Sequence, residues 1–217
     1  MKLLSVHLAR SIWLGKVGDL NPTGIKLDKI LYPFLIETYK FKKHPLPTDL
    51  TNMEKGVLFG AGEFEIDTNL SVGINFTLYS DGFVADATSS TNHSDAFLED
   101  VFNRFLKIFK MPPYESVIKD QIYLSQIFVS TDKSLEILNP KLKNISNFLS
   151  DNVETGIKFY MGGLSFWPDQ TNKRNPIPFM FERASNVPFS ENRYYSAAPL
   201  PTDKHIKALA NIEEILS

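Results

Sequence analysis

Residues 57–110 read VLFGAGEFEIDTNLSVGINFTLYSDGFVADATSSTNHSDAFLEDVFNRFLKIFK. Three runs rich in aromatic and β-branched residues, at 57–66, 70–79 and 83–88, are separated by turn-forming residues. Asp81-Gly82 between two such runs is typical of a tight hairpin turn, which we expect to be of a primed type with positive φ at Gly82. The stretch therefore predicts three strands in a β-meander.

After the third run, the spacing of apolar residues changes from every second residue to a period of 3.6. Within 94–110 they recur on one face of a helix, at Phe97, Leu98, Val101, Phe102, Phe105, Leu106 and Phe109. Acidic residues come early and basic residues late, which suits the helix dipole. We expect Phe102 and Phe105 to be buried where this helix covers the meander.

The segments before the meander are less regular. Residues 4–14 alternate between apolar and polar, as in a half-buried strand, and Arg10 breaks the apolar face. We therefore expect a bulge or the exposed end of the strand at Arg10. For 27–41 the sequence favours a helical turn followed by a strand at 34–41, since Pro33 interrupts the helical spacing and aromatic residues follow it.

The second half of the chain predicts strands at 121–130, 156–167 and 179–183, helices at 140–150 and from Thr202-Asp203, and an irregular stretch at 187–201. Clusters of strands between helices are typical of the α+β class. We predict a single α+β domain over 1–217, with a mainly antiparallel sheet built on the β-meander and covered on one face by about three helices.

The amino-acid composition and the net charge exclude several kinds of site. The 217 residues contain no cysteine, which excludes disulfides, cysteine-bound zinc, iron–sulfur clusters and a cysteine nucleophile. A formal net charge of -2 gives no overall attraction to nucleic acid or to an anionic membrane. Because no stretch approaches the ~20 apolar residues of a membrane helix, we expect a cytoplasmic protein without membrane contact.

Familiar catalytic motifs are absent from the sequence. It contains no phosphate-binding loop, no dinucleotide fingerprint and no nucleophile elbow. The four histidines, His7, His44, His93 and His205, lie far apart and in different predicted elements, so no pair has metal-ligand spacing. We therefore predict no cofactor.

Carboxylates on the meander offer one enzymatic alternative. Glu63 and Glu65 share a face of the first strand, and Asp86 lies on the third. Carboxylate oxygens are the ligands that Mg²⁺ prefers, so these residues could serve a metal-dependent hydrolase or nuclease. The simpler interpretation is a solvent-facing side that alternates with apolar residues of the same strand.

Two basic clusters offer a second alternative, a nucleic-acid-associated accessory protein. Lys40, Lys42, Lys43 and His44 follow an aromatic segment, and Lys173 and Arg174 lie in a loop rich in asparagine. Basic groups beside aromatic rings can contact single strands. Two small clusters in a slightly acidic chain are more typical of ordinary solvated surface.

The leading hypothesis is a non-enzymatic protein-interaction or assembly subunit of a larger complex or homo-oligomer, with another protein chain or a second copy as partner. Arg193, Tyr194 and Tyr195 are its predicted contact residues, because tyrosine and arginine are enriched in interface hot spots. The irregular segment around them should run over the surface. Replacing both tyrosines with alanine should then weaken assembly without changing the melting temperature.

Overall fold

The computed structural model describes residues 1–45, 53–138, 140–153, 156–169, 171 and 176–216. One open antiparallel sheet contains eight strands, β1 (Lys2–Leu14), β2 (Val57–Asp67), β3 (Leu70–Leu78), β4 (Gly82–Ala87), β5 (Asp120–Ser130), β6 (Gly163–Phe166), β7 (Phe179–Arg183) and β8 (Arg193–Ala198). Their spatial order is β2-β3-β4-β1-β5-β8-β7-β6. The described helices are α1 (Val17–Leu20), α2 (Tyr32–Tyr39), α3 (Thr91–Phe109), α4 (Leu142–Asp151) and α5 (Thr202–Leu216). The predicted α+β class is confirmed.

The meander forms as the alternating pattern predicts, but its second turn differs. β3 and β4 pair antiparallel, and the Tyr79 backbone N–H donates to the Gly82 carbonyl at 2.8 Å. Neither Asp81 nor Gly82 has a positive φ, so the predicted primed turn is wrong. The connection is longer than two residues, and Gly82 already belongs to β4, opposite Leu14.

α3 covers the meander with the predicted apolar face. The helix begins at Thr91, three residues earlier than predicted, because Ser90 caps it by accepting a hydrogen bond from the Asn92 N–H. Phe102 and Phe105 are buried, as predicted, and Phe97 and Val101 lie beside them in the same core. The long aromatic face of α3 thus organises the core of this part of the chain.

Two expectations for the segments before the meander are wrong. The predicted strand at 34–41 is instead helix α2, preceded by a π-helical turn at Leu27–Leu31. Pro33 lies in the first turn of α2, where a missing N–H costs no hydrogen bond. Arg10 marks neither a bulge nor a strand end, since it lies within β1 opposite Asp86 and donates to that carboxylate at 2.6 and 2.8 Å.

The chain divides into two compact units. The meander unit contains His7–Ser125 and Leu200–Thr202, and the terminal unit contains Met1–Val6, Gln126–Pro199 and Asp203–Ser217. In the terminal unit, β6, β7 and β8 pair antiparallel around a core that includes Phe181, Tyr194 and Leu209. That residues 1–217 form a single α+β domain stays a prediction.

We expect Gly62→Ala to destabilise the meander unit by ~1–3 kcal/mol, the usual cost of overpacking. A Cβ at Gly62 would overlap the ring of Phe41, which is buried against Phe59 and Phe97. Gly73→Ala on β3 is the matched control, because nothing lies within 4 Å of its Cβ position. Chemical unfolding of the two variants makes the comparison, and equal stabilities would contradict the described packing of Phe41.

Candidate functional site

Helix α4 in the terminal unit turns its apolar face outward. None of its residues is buried, and Ile145 and Phe148 are 55% and 65% exposed. The half-buried positions are instead the small polar residues Ser146 and Ser150. This is the reverse of the usual arrangement, in which the apolar stripe of a surface helix faces the core.

One hydrogen bond joins the serine face of α4 to the segment that follows the helix, and a second lies within the helix itself. The Ser150 hydroxyl donates to the Ser146 carbonyl at 2.7 Å and accepts from the Phe159 backbone N–H at 2.8 Å. The serine face of the helix is therefore tied to the segment that follows it. The apolar stripe lies on the other side of the helix and is in solvent.

Further apolar side chains are exposed in the segment that follows α4. We name the whole set the α4 surface, and it comprises Leu142, Ile145, Phe148, Leu149, Ile157, Phe159 and Tyr160. Each of these side chains is substantially exposed. Exposed apolar residues that lie close together in the chain are candidates for an interaction surface, whereas single ones need no explanation.

A cavity of about 610 Å³ opens beside Tyr160. We name it the Arg183 cavity, and its lining is Ser134, Glu136, Lys158, Tyr160, Arg183, Phe189, Ser190 and Asn192. The rings of Tyr160 and Phe189 meet edge to face at 5.7 Å and form an aromatic wall. Tyr160 therefore belongs to both the α4 surface and the cavity.

Three hydrogen bonds to neutral oxygen atoms of the described residues fix the Arg183 guanidinium. Its Nε donates to the Met161 carbonyl at 3.0 Å, Nη1 to the Phe189 carbonyl at 3.0 Å and Nη2 to the Ser134 hydroxyl at 3.2 Å. The group also lies over the Phe189 ring, 4.5 Å from its centroid. Sequence reasoning missed Arg183, because its partners come from distant parts of the chain and leave no local signal.

No protein-family model and no curated protein matches this chain. Function therefore has to be inferred from side-chain geometry. Within the described part of the chain, no helix combines the length and the apolar character needed to cross a membrane.

The predicted contact residues lie on β8 rather than on an irregular surface segment. Tyr194 is fully buried, stacked on Phe181 at 4.6 Å, so the expectation that it is exposed is wrong. Tyr195 is half-buried beside Phe128, and Arg193 is exposed and paired with Glu191 at 3.0 Å. A contact role for Arg193 and Tyr195 stays a prediction, whereas Tyr194 serves the core.

The carboxylates of the hydrolase alternative have basic partners. Glu63 lies within 3.8 Å of Lys42 and 3.6 Å of Lys40, and Glu65 lies 3.9 Å from Lys40. Asp86 accepts both hydrogen bonds from Arg10. Among the described residues, no three histidine or acidic side chains are grouped as metal ligands. The geometry therefore gives this alternative no support.

The basic clusters of the nucleic-acid alternative are described only in part. Lys40 and Lys42 face the carboxylates of β2, which reduces the positive potential that they would offer to a phosphate backbone. Lys173 and Arg174 lie outside the described residues. Nucleic-acid binding stays an untested alternative.

A buried Ser196–His205 pair superficially resembles a nucleophile and its base. The His205 Nε2 lies 2.8 Å from the Ser196 Oγ, and that hydroxyl donates to the Met180 carbonyl at 2.6 Å. Because the hydroxyl proton is used on the carbonyl, Nε2 must be the donor to Ser196. The imidazole therefore cannot take the proton of Ser196 in this arrangement, and both residues are fully buried. The pair is structural.

We expect the stability of the protein to fall in mild acid because of His205. Burial lowers the pKa of His205 from 6.5 to about 4, so the folded state keeps the ring neutral while the unfolded chain binds a proton. The stability from this group is fully present above about pH 6.5 and is lost as pH falls toward 4. The loss reaches about 2 kcal/mol at pH 5.

Urea unfolding at a series of pH values tests this titration. His205→Gln keeps a donor nitrogen near the Nε2 position and should lose less stability between neutral pH and pH ~5 than the wild type. His44→Gln, at an exposed position, is the control and should retain the wild-type slope. Identical slopes for all three proteins would contradict the role of His205.

Proposed function

We propose that this chain is a protein-interaction subunit that binds a partner chain through the α4 surface. The observation that carries the proposal is the outward orientation of the apolar face of α4. Covering an apolar helix face with another surface lowers the free energy, in proportion to the area removed from water. A partner chain that covers Ile145 and Phe148 would supply that burial.

The partner that fits is a different protein with an apolar contact face and an acidic group. The α4 surface shares Tyr160 with a cavity in which two basic side chains, Arg183 and Lys158, accompany one acid, Glu136. A symmetric contact between two copies presents the same surface twice, so it supplies no excess of carboxylates to these basic groups. Charge complementarity therefore favours a distinct, acidic partner.

A lipid surface fits α4 less well than a protein does. Interfacial helices usually carry several lysine or arginine residues on their polar face. The polar face of α4 is instead mainly serine and asparagine, with Lys143 and Asp151 as its charges. A cytoplasmic location stays part of this proposal.

The test is a pair of α4 variants with opposite expectations. Ile145→Asn with Phe148→Asn should abolish binding, since losing one hot-spot residue typically costs ~2 kcal/mol or more. Its unfolding free energy should stay within about 0.5 kcal/mol of wild type, because both side chains are exposed. Asn147→Ser changes an exposed residue off the apolar stripe and should leave binding intact.

Affinity purification from native cells, followed by calorimetry with the purified partner, measures both effects. The proposal requires a partner that binds the wild type and the Asn147→Ser control but not the apolar-face variant. Equal binding by all three proteins would contradict it. A purified chain that dimerises through the apolar face would overturn the choice of a distinct partner, and saturable binding to lipid vesicles through that face would replace the protein partner with a membrane.

A further inference from the structure

We propose that the Arg183 cavity is a binding site for a carboxylate attached to an apolar group. The inference goes beyond the interaction surface, because a small carboxylate needs only the cavity and not the exposed stripe of α4. Its two sources are a free organic acid and the terminal or side-chain carboxylate of a peptide. Both sources share a carboxylate group that is attached to an apolar carbon skeleton.

Arg183 is prepared for such a ligand. The three bonds to Met161, Phe189 and Ser134 fix the guanidinium plane and use three of its five N–H groups. The remaining two N–H groups have no acceptor among the described residues. A guanidinium held in this way can bind a carboxylate without first losing side-chain freedom, which is the usual cost of recognition by arginine.

The charge of Arg183 is uncompensated within the described part of the chain. No carboxylate lies within ion-pair distance of it, in contrast to Arg10, Arg104 and Arg193, which all have acidic partners. The cavity carries two basic side chains, Arg183 and Lys158, and one acid, Glu136, so its formal charge is +1. That balance suits a singly charged carboxylate better than a doubly charged phosphate.

The walls of the cavity define the rest of the ligand. Tyr160 and Phe189 present aromatic surface on one side, while Ser134, Ser190 and Asn192 supply polar groups. The volume of about 610 Å³ is in the range of small-molecule sites, but the mouth is wide, and Tyr160 and Phe189 are 46% and 42% exposed. An aromatic or branched apolar group would cover the rings while its carboxylate meets Arg183.

Calorimetry and ligand-observed NMR with defined probes test the proposal on the full chain. Benzoate should bind saturably, benzamide should not bind because it has the same shape without the charge, and phenyl phosphate should bind more weakly than benzoate. An acetylated tripeptide ending in phenylalanine, with either a free or an amidated carboxyl terminus, distinguishes the two sources. A preference for the free terminus over both the amide and benzoate identifies a peptide ligand, whereas tighter binding of benzoate identifies a small acid.

Substitutions locate the binding. Arg183→Gln should weaken benzoate binding at least about tenfold, since a charge-assisted pair is lost. Lys158→Gln, at an exposed position, should weaken it by about threefold, as expected for a solvated charge. Arg193→Gln removes the same charge as Arg183→Gln from an exposed, already paired side chain and should change the affinity by less than about twofold.

If Arg183→Gln unfolds the terminal unit, Lys158→Gln and the comparison of benzoate with benzamide still test the proposal. The α4 variant Ile145→Asn with Phe148→Asn should bind benzoate normally, so failure of the interaction surface and failure of the cavity are distinguishable. Absence of saturable binding by both benzoate and the free-carboxylate peptide would overturn the proposal. Equal binding of benzamide and benzoate, or full affinity in Arg183→Gln, would overturn it as well.

Discussion

Replacing Phe102 with alanine is expected to lower the free energy of unfolding by about 3–5 kcal/mol, the usual cost of emptying a buried phenylalanine site. The ring is 2% exposed and lies 4.8 Å from Phe83 and 5.7 Å from Trp13. It joins helix α3 to strands β1 and β4, so the cavity left by its removal would lie inside the main core.

Asn103→Ala is the control for this change. Asn103 is the next residue on α3 and is exposed, so its replacement should alter stability by no more than about 0.5 kcal/mol. Thermal and chemical unfolding of both variants provide the comparison. Similar small effects at the two positions would mean that α3 does not pack on the sheet with this face.

The second large effect is expected at Tyr194, where alanine should also cost about 3–5 kcal/mol. The ring stacks on Phe181. The hydroxyl accepts from the Leu135 N–H, and its proton has the Asn192 Oδ1 at 3.3 Å and the Lys133 carbonyl at 3.4 Å as alternative acceptors. This reverses the expectation from sequence, in which Tyr194 is a surface contact whose loss leaves the melting temperature unchanged.

Tyr194→Phe separates packing from hydrogen bonding. It keeps the ring on Phe181 and removes only the long hydroxyl contacts, so it should cost about 0.5–1.5 kcal/mol. Tyr195→Ala, at a half-buried position, should cost less than Tyr194→Ala. If Tyr194→Ala were as stable as wild type, the tyrosine would be free to act as a contact residue after all.

The meander and α3 could be predicted because their apolar spacing follows one period over many residues. The alternation along β2–β4 indicates strands, and the 3.6-residue repeat along α3 indicates a helix. The error at the Asp81-Gly82 turn arose because an Asp-Gly pair is a strong hairpin signal even where the loop is longer than two residues.

Helix α2 and strand β8 could not be predicted by the same means. The aromatic residues around Phe34 favour a strand by composition, but tertiary contacts decide otherwise, as when the Tyr39 hydroxyl of α2 donates to Asp100 of α3 at 2.8 Å. β8 lies between prolines that suggest an irregular segment, and its pairing with β7 depends on residues that are distant in sequence.

The candidate site could be predicted from the sequence even less well than these elements. The sequence correctly predicts a helix near 140–150 and its apolar stripe, but amphipathic spacing does not say whether that stripe faces the core. The Ser150 bond to the Phe159 backbone, which is made by the serine face, has no counterpart in any local pattern. The role of Arg183 also has no signal in the sequence, since it is a single arginine at the end of a short strand.

Photo-crosslinking from α4 in native cells tests the central claim most directly. A photoreactive amino acid in place of Phe148 or Ile145, on the apolar face, is compared with the same group at Asn147, off the apolar stripe. The α4 surface predicts one discrete adduct with the same partner protein from positions 148 and 145, and none from 147. Adducts of equal yield from positions 148 and 147, or no protein adduct from position 148, would contradict it.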